Sequence, residues 1–170
     1  SSVSGLSASA TTVAVATFSA SGAVGATADI LEINGVALTV DLSSSVAGAN
    51  ATAVANAIAA EASLSGLTVS QSTNVLTITD ADGDNITFDG GSTFSGETIT
   101  VETVDSSGSA TTGGLSTITA PASVVTVTGD IDFTSGESGN WTGGSDDTSG
   151  VIFTSASATG SATAGNDRVD

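Results

Sequence analysis

Hydrophobic and polar positions alternate most regularly between Ala26 and Phe88, and this stretch predicts a β-hairpin at its start. Leu31 and Ile33 alternate with polar residues before Asn34-Gly35, and the apolar residues of the return strand are Val36, Leu38, Val40 and Leu42. Asn-Gly is the pair that a two-residue type I′ turn prefers, because both central residues take a positive φ. Such a turn places Leu31 opposite Leu38, so the turn and the apolar pattern agree on one register.

The segment after the hairpin changes to helical periodicity. Val54, Ile58 and Ala62 recur at helical spacing, Asn50 is a good N-cap, and Gly66 stands where a helix would stop. We therefore expect a short helix over Asn50–Ala62. Three strands are predicted after it, at Leu67–Ser70, Val75–Thr79 and Asn85–Phe88.

Shorter alternating segments predict further strands on both sides of this stretch. They are Thr11–Phe18, Glu97–Val104, Leu115–Thr119, a hairpin of Val124–Thr128 with Ile131–Phe133 around Gly129-Asp130, and Val151–Thr154. The expected fold is mainly β, with antiparallel β-sandwich-like layers and one short helix at about residues 50–62.

The best candidate for a domain boundary is Asp105–Gly114, which has no apolar periodicity and the composition of a linker or a long hairpin tip. It divides the chain into a β-rich domain at 1–104 and a smaller β-hairpin region at 115–170. The second region could equally be part of the same domain.

Three segments carry a family resemblance: EINGVALTVD from Glu32, NATAVANAIAAEASLSGLTVS from Asn50, and LTITDADGDNITF from Leu76. Together they resemble the hook IN motif of bacterial flagellins and hook-associated proteins, over 26–88. In that family the motif belongs to the variable outer part of the filament subunit and has no catalytic residue. The resemblance implies a surface module of an extracellular assembly.

The chain departs from that family at both ends. Flagellins build the filament core from long terminal helices, and neither Ser1–Ala28 nor Pro121–Asp170 has such a pattern. A chain of these residues alone is not expected to polymerise as flagellin does.

Charge restricts the partners that this chain can bind. Eighteen acidic residues stand against one cation, Arg168, and the net charge is −17. Nucleic acid and anionic membrane surfaces are not expected partners, because both require clustered cations. No apolar run reaches the roughly 18 to 20 residues of a membrane span, so membrane insertion is not expected either. Copies of the chain repel one another, so their association requires dry strand contacts, screening salt or divalent cations.

The absent residue types bear on chemistry and location. Cys, Met, His, Tyr and Lys do not occur. Without His, Cys and Lys the usual nucleophilic and Schiff-base routes have no residues to use, so we do not expect an enzyme. The lack of Lys, Met and Cys fits an exported protein that is exposed to oxidation, at the cell surface or outside the cell.

The sequence DADGDN offers the sharpest candidate metal site. Asp80, Asp82 and Asp84 stand at alternate positions, and carboxylate oxygens are the ligands that Ca²⁺ prefers. The alternative is a solvated turn without a cofactor, because Asp and Gly favour turns for conformational reasons. The sequence favours the turn.

The amino-terminal strand Thr11–Phe18 is the candidate assembly strand, with Thr11, Val13, Val15 and Phe18 as its principal residues. It is either an edge strand of its own domain or a strand donated to the sheet of a neighbouring copy. Val151–Thr154 is a second candidate for the shared element.

The expected function is that of an exported structural subunit, which forms or decorates an extracellular filament or surface layer by strand pairing between its own copies. A phage tail or fibre protein is one alternative, and a carbohydrate-binding adhesin is another. The adhesin alternative rests on Trp141, although a lone Trp in such a protein more often anchors a local core. Asn50, Asn85 and Asn140 each begin a sequence that matches the N-glycosylation pattern.

Overall fold

The computed structural model describes residues 6–20, 29–94, 97–104, 110–135 and 166–169. The chain divides into two compact units. One unit comprises Thr11–Gly129, and the other comprises Ser1–Ala10 with Asp130–Asp170.

Eleven strands, one α-helix and one 3₁₀ turn are found in the described part of the chain. In order they are β1 (Leu6–Phe18), β2 (Asp29–Ile33), β3 (Val36–Val40), α1 (Ala47–Ala60), the 3₁₀ turn (Ala62–Leu64), β4 (Leu67–Ser72), β5 (Val75–Asp80), β6 (Ile86–Gly90), β7 (Ile99–Val104), β8 (Ala110–Ile118), β9 (Val124–Val127), β10 (Asp130–Ser135) and β11 (Asn166–Val169).

The unit Thr11–Gly129 contains two antiparallel sheets. The larger sheet has the strand order β4-β5-β1-β7-β8, and the smaller has the order β3-β2-β6-β9. The prediction of a mainly β fold with antiparallel layers and one short helix is confirmed.

The β2–β3 hairpin has the predicted register, with Leu31 opposite Leu38 and Ile33 opposite Val36. Asn34 and Gly35 take φ values of 51° and 74°, as a type I′ turn requires. Alternation and turn chemistry were therefore sufficient to fix this element.

The core lies on the inward faces of the two sheets. Its largest fully buried side chains include Phe88, Phe94, Leu31, Leu76 and Ile78, and α1 adds Val54 and Ile58. The helix contacts β3, β4 and β5. Because β3 and β4 are edge strands of different sheets, α1 covers one open side of the core.

The helix begins three residues earlier than predicted, and Asn50 is not its N-cap. The cap position belongs to Val46, which makes no side-chain cap hydrogen bond. Asn50 lies within the first turn and is 1% exposed. Its Oδ1 accepts from the Ser44 backbone N–H at 3.1 Å, and its Nδ2 donates to the carbonyl oxygens of Ser44 at 3.2 Å and Ser19 at 3.1 Å. Asn50 thus fixes the chain that enters the helix to the residue that follows β1.

Two predictions about the second half of the chain are wrong. Val124–Thr128 and Ile131–Phe133 do not form a hairpin, because β9 pairs with β6 and β10 pairs with β11. The segment 105–114 is not a domain boundary, because it joins β7 to β8, which pair with each other, and Ala110–Gly114 begins β8. Of the two alternatives for this segment, the hairpin tip is the one that agrees with this pairing. Residues up to Gly129 belong to the same unit as β1 to β7, so the division falls at Gly129.

The other unit contains the pair β10–β11 among its described residues. In this pair Asp132 is the cross-strand partner of Arg168, the one cation of the chain.

Candidate assembly site

The candidate assembly strand is a central strand of its sheet. Thr12–Thr17 pairs with β5, and Val13–Phe18 pairs with β7, both antiparallel. The expectation of an edge strand is therefore wrong, because both sides of β1 carry hydrogen-bonded partners in this segment.

On β1 the small alanines face the core, whereas the larger valines face outward. Ala14, Ala16 and Phe18 are buried in the core, whereas Val13 and Val15 are half-buried on the opposite face with Thr11. Of the four residues singled out for assembly, Phe18 alone enters the core. The small inward residues let the sheet approach the layer beneath it closely.

The carboxyl end of β1 is held at several points. The Phe18 N–H donates to the Asn74 carbonyl at 2.9 Å, and Asn74 Nδ2 donates to the Phe18 carbonyl at 3.0 Å. The Ser19 N–H donates to the Thr98 carbonyl at 2.9 Å, and Ser19 Oγ accepts from the Thr98 N–H at 2.9 Å. β1 therefore enters the sheet as a firmly bonded strand.

The outer face of the larger sheet is almost free of charge. Strand register aligns the residues on this side of the sheet in three rows: Ser72-Val75-Thr17-Thr100-Thr117, Ser70-Thr77-Val15-Glu102-Leu115 and Thr68-Thr79-Val13-Val104-Ala110. Val104 is 6% exposed, so the face is covered at that position. We call this surface the Thr/Val face. Glu102 is its one charged residue, and Leu115 is 66% exposed at its edge.

The outer face of the smaller sheet is different. Glu32 of β2 stands directly opposite Asp89 of β6, and both side chains are half-buried. Like charges in that position repel each other. The two sheets of this unit therefore present an acidic outer face and a nearly neutral one.

The segment with Asp80, Asp82 and Asp84 links the two sheets and is not a hairpin, since β5 and β6 belong to different sheets. Asp80 Oδ1 accepts from the Asp82 N–H at 2.9 Å, as in a turn stabilised by an aspartate side chain. Within the described residues, no three acidic side chains are grouped so that they could hold a metal ion. This arrangement favours the turn, and calcium binding by these residues stays a prediction.

This link packs closely against another part of the chain. Gly83 has a φ of +79°, and a Cβ atom built on Gly129 would overlap the Gly83 carbonyl oxygen and lie 2.8 Å from Thr12 Oγ1. Although Gly129-Asp130 resembles a hairpin turn in sequence, glycine is required at position 129 because two backbone segments approach each other closely there.

One carboxylate has a perturbed titration. The Ser43 hydroxyl, and to a smaller extent the Ser43 backbone N–H, donate to Asp41 Oδ1 and hold the pKa of this carboxyl below its ordinary value of 3.8. Asp41 is exposed at the end of the β2–β3 hairpin. This pattern is a local turn interaction between two residues of the same loop.

The remaining candidates are distributed over the chain. Asn50 is buried and hydrogen-bonded, which makes it a poor glycosylation acceptor, whereas Asn85 is exposed before β6. Asn140, Trp141 and Val151–Thr154 lie outside the described residues. Nothing is therefore added to the sugar-binding alternative or to a carboxy-terminal shared strand.

Comparison with known proteins gives no match to a family model, a curated protein or a solved structure. Among the described residues, no helix is both long enough and apolar enough to cross a membrane.

Proposed function

We propose that this protein is a structural subunit of an extracellular filament or surface layer, and that neighbouring copies are joined by exchange of β1. The observation that carries the proposal is the position of β1, which precedes both of its partners in the chain and occupies the middle of a sheet. The resemblance of 26–88 to the outer module of flagellar proteins supports the extracellular assignment.

The bonding of β1 suits such an exchange. Its partners in the sheet are residues 75–80 and 99–104, which are far away in sequence. A β1 strand from another copy would make the same hydrogen bonds and bury the same Ala14, Ala16 and Phe18 side chains. Exchange of identical elements is a low-cost route to assembly for this reason.

Charge also favours β1 as the shared element. Leu6–Phe18 contains no charged residue, although the chain has a net charge of −17. Ten residues, Ser19–Ala28, connect β1 to β2, and a chain of that length reaches at most about 33 to 36 Å. An exchanged strand must therefore come from a copy in direct contact.

The experiment uses the double variant Thr17→Cys/Val75→Cys. Phe18 and Asn74 are hydrogen-bonded, so the next pair, Thr17 and Val75, is a non-bonded pair whose side chains lie close together. The distance between their Cα atoms should suit a disulfide. The natural chain has no cysteine, so every disulfide formed reports on this pair.

After oxidation under assembly conditions, an exchanged β1 links each copy covalently to the next, and a non-reducing denaturing gel shows a ladder. The matched control is Glu32→Cys/Ala37→Cys, a cross-strand pair within the β2–β3 hairpin that can close only inside one copy. Fibres in electron micrographs with a ladder from the first variant alone would support the proposal. Linked monomers from both variants, in a sample that forms fibres, would reject strand exchange, and a sample that never assembles would reject the structural role.

A further inference from the structure

We propose that the Thr/Val face is a second self-association surface, on which the same face of another copy docks. The inference rests on the proposed function in taking a second copy as the partner, but it does not require β1 to be exchanged. It concerns contacts between neighbouring chains side by side.

The first argument is electrostatic. The chain has 18 acidic residues and one arginine, so most pairs of surfaces brought together would oppose acid with acid. Screening weakens this repulsion only beyond about 8 to 10 Å at ordinary ionic strength, so charges in direct contact still repel. The Thr/Val face spans five strands with Glu102 as its one charge, whereas the smaller sheet presents Glu32 beside Asp89. A second copy is therefore tolerated on the larger sheet.

The second argument is the chemistry of the face. Val13, Val15 and Val75 supply apolar area in its middle, and Thr17, Thr77 and Thr100 surround them with short, stiff side chains. Such residues lose little conformational freedom on contact. Leu115 is exposed at the β8 edge and adds a large apolar side chain.

Geometry allows the face to pair with itself. A two-fold axis at Val15, parallel to the strands and between the two copies, reverses the order of the row Ser70-Thr77-Val15-Glu102-Leu115 in the second copy. Glu102 of one copy then lies over Thr77 of the other, and Leu115 lies over Ser70. The two Glu102 carboxylates are then kept apart. The contact is closed, with the same residues on both sides.

The area sets the strength of the contact. Five strands about 4.8 Å apart and six residues at about 3.3 Å each give a face of roughly 400 Å², or about 800 Å² for two copies. Stable complexes usually bury about 1,200 Å² or more. The contact is therefore weak for one pair of molecules and becomes strong when it is repeated along two assembled filaments.

The test uses single cysteines in the full chain. Val15→Cys places one thiol at the proposed axis, and Thr39→Cys places one on the outer face of the smaller sheet. At high protein concentration and raised salt, we expect Val15→Cys to form disulfide dimers at least about ten-fold faster than Thr39→Cys, although Thr39 is the more exposed position. Adding Thr17→Glu to Val15→Cys should remove the advantage, and adding Thr39→Glu should leave it unchanged.

Equal dimer formation by the two cysteine variants would overturn the inference, as would an advantage that survives Thr17→Glu. Far-ultraviolet circular dichroism confirms that each variant is folded. The result is independent of the Thr17→Cys/Val75→Cys ladder. A ladder without preferential Val15→Cys dimers rejects this contact and leaves strand exchange intact. Preferential dimers without a ladder reject strand exchange and leave this contact intact.

Discussion

The side-chain oxygen of Asn34 accepts a hydrogen bond from the backbone N–H of Thr87 at 2.7 Å, and the Asn34 N–H donates to the Thr87 carbonyl at 2.9 Å. The turn of the β2–β3 hairpin is thereby joined to β6. Asn34 combines two properties: its backbone tolerates a positive φ, and its side-chain oxygen is held in place as a hydrogen-bond acceptor. It extends the pairing of β2 with β6 beyond the last residue of β2.

Replacement of Asn34 should separate these two properties. Asn34→Gly keeps the positive φ and loses the acceptor, and we expect the free energy of unfolding to fall by about 1 kcal/mol. Asn34→Asp keeps the acceptor and should retain most of the stability. Denaturant unfolding measures both variants, and equal stability of Asn34→Gly and the natural protein would show that the hydrogen bond contributes little.

Removal of the like-charge pair on the smaller sheet should stabilise the fold. Asp89→Lys places a cation opposite Glu32, and we expect a gain of about 0.5 to 1 kcal/mol at low salt. The gain should shrink in about 0.5 M salt because screening weakens the new attraction. Asp84→Lys raises the net charge by the same two units at an exposed position away from this pair, so a similar gain there would assign the effect to net charge.

Gly129→Ala should be strongly destabilising. The added Cβ would overlap the Gly83 carbonyl oxygen, which is a backbone atom and cannot rotate away. We expect the free energy of unfolding to fall by about 1 to 3 kcal/mol. Gly66→Ala is the control, because a Cβ there meets no atom within 4 Å, and its thermal midpoint should be nearly unchanged. Similar midpoints for the two variants would show that the Gly83–Gly129 contact relaxes easily.

Thr73→Gly should stabilise the β4–β5 hairpin. Thr73 is a β-branched residue with a φ of +53° in the first position of a two-residue turn, where glycine is preferred. We expect a gain of about 0.5 to 1 kcal/mol, visible as a higher thermal midpoint. The same replacement at Thr39, within β3, should instead cost about 0.5 to 1 kcal/mol. A loss at both positions would contradict the account of strain at Thr73.

The pH dependence of stability should include a contribution from Asp41. Its pKa is lowered in the folded protein by the Ser43 hydroxyl and then by the Ser43 N–H. A lowered pKa stabilises the fold above the ordinary value of 3.8, and this contribution disappears as the pH falls through the lowered pKa. Asp41→Asn should therefore be less stable than the natural protein near pH 7, and the difference should shrink as the pH falls below 3.8 and through the lowered pKa. Ser43→Ala should behave in the same way, and a pH-independent difference would exclude the carboxylate as its source.

The sequence was sufficient for the local parts of the fold. The register of Leu31 with Leu38 followed from the turn and the alternation, and the bounds of β4, β5 and β6 were predicted within two residues. Long-range pairing could not be read from the sequence, because alternation does not say which strands are neighbours. The central position of β1 and the pairing of β9 with β6 were missed for this reason.

The candidate site was predicted in part. β1 was singled out correctly as a strand, but its inward face was not, because Val13 and Val15 lie outside and Ala14 and Ala16 lie inside. The absence of charged residues between Glu61 and Asp80, and again between Asp105 and Asp130, was a signal for the Thr/Val face that the sequence did contain. It became meaningful once register placed β4, β5 and β8 in one sheet.

The central position of β1 also determines the order in which strands can pair during folding. The β2–β3 hairpin can close as soon as residue 40 is available, but β1 must wait for residues 75–80 and 99–104 before either of its sides is bonded. β1 is thus synthesised before its partners β5 and β7 and is paired later than the β2–β3 hairpin, since contacts between distant parts of a chain form slowly. During that interval the sheet lacks its central strand, and the edges of β5 and β7 that later bind β1 are open to pairing with another chain.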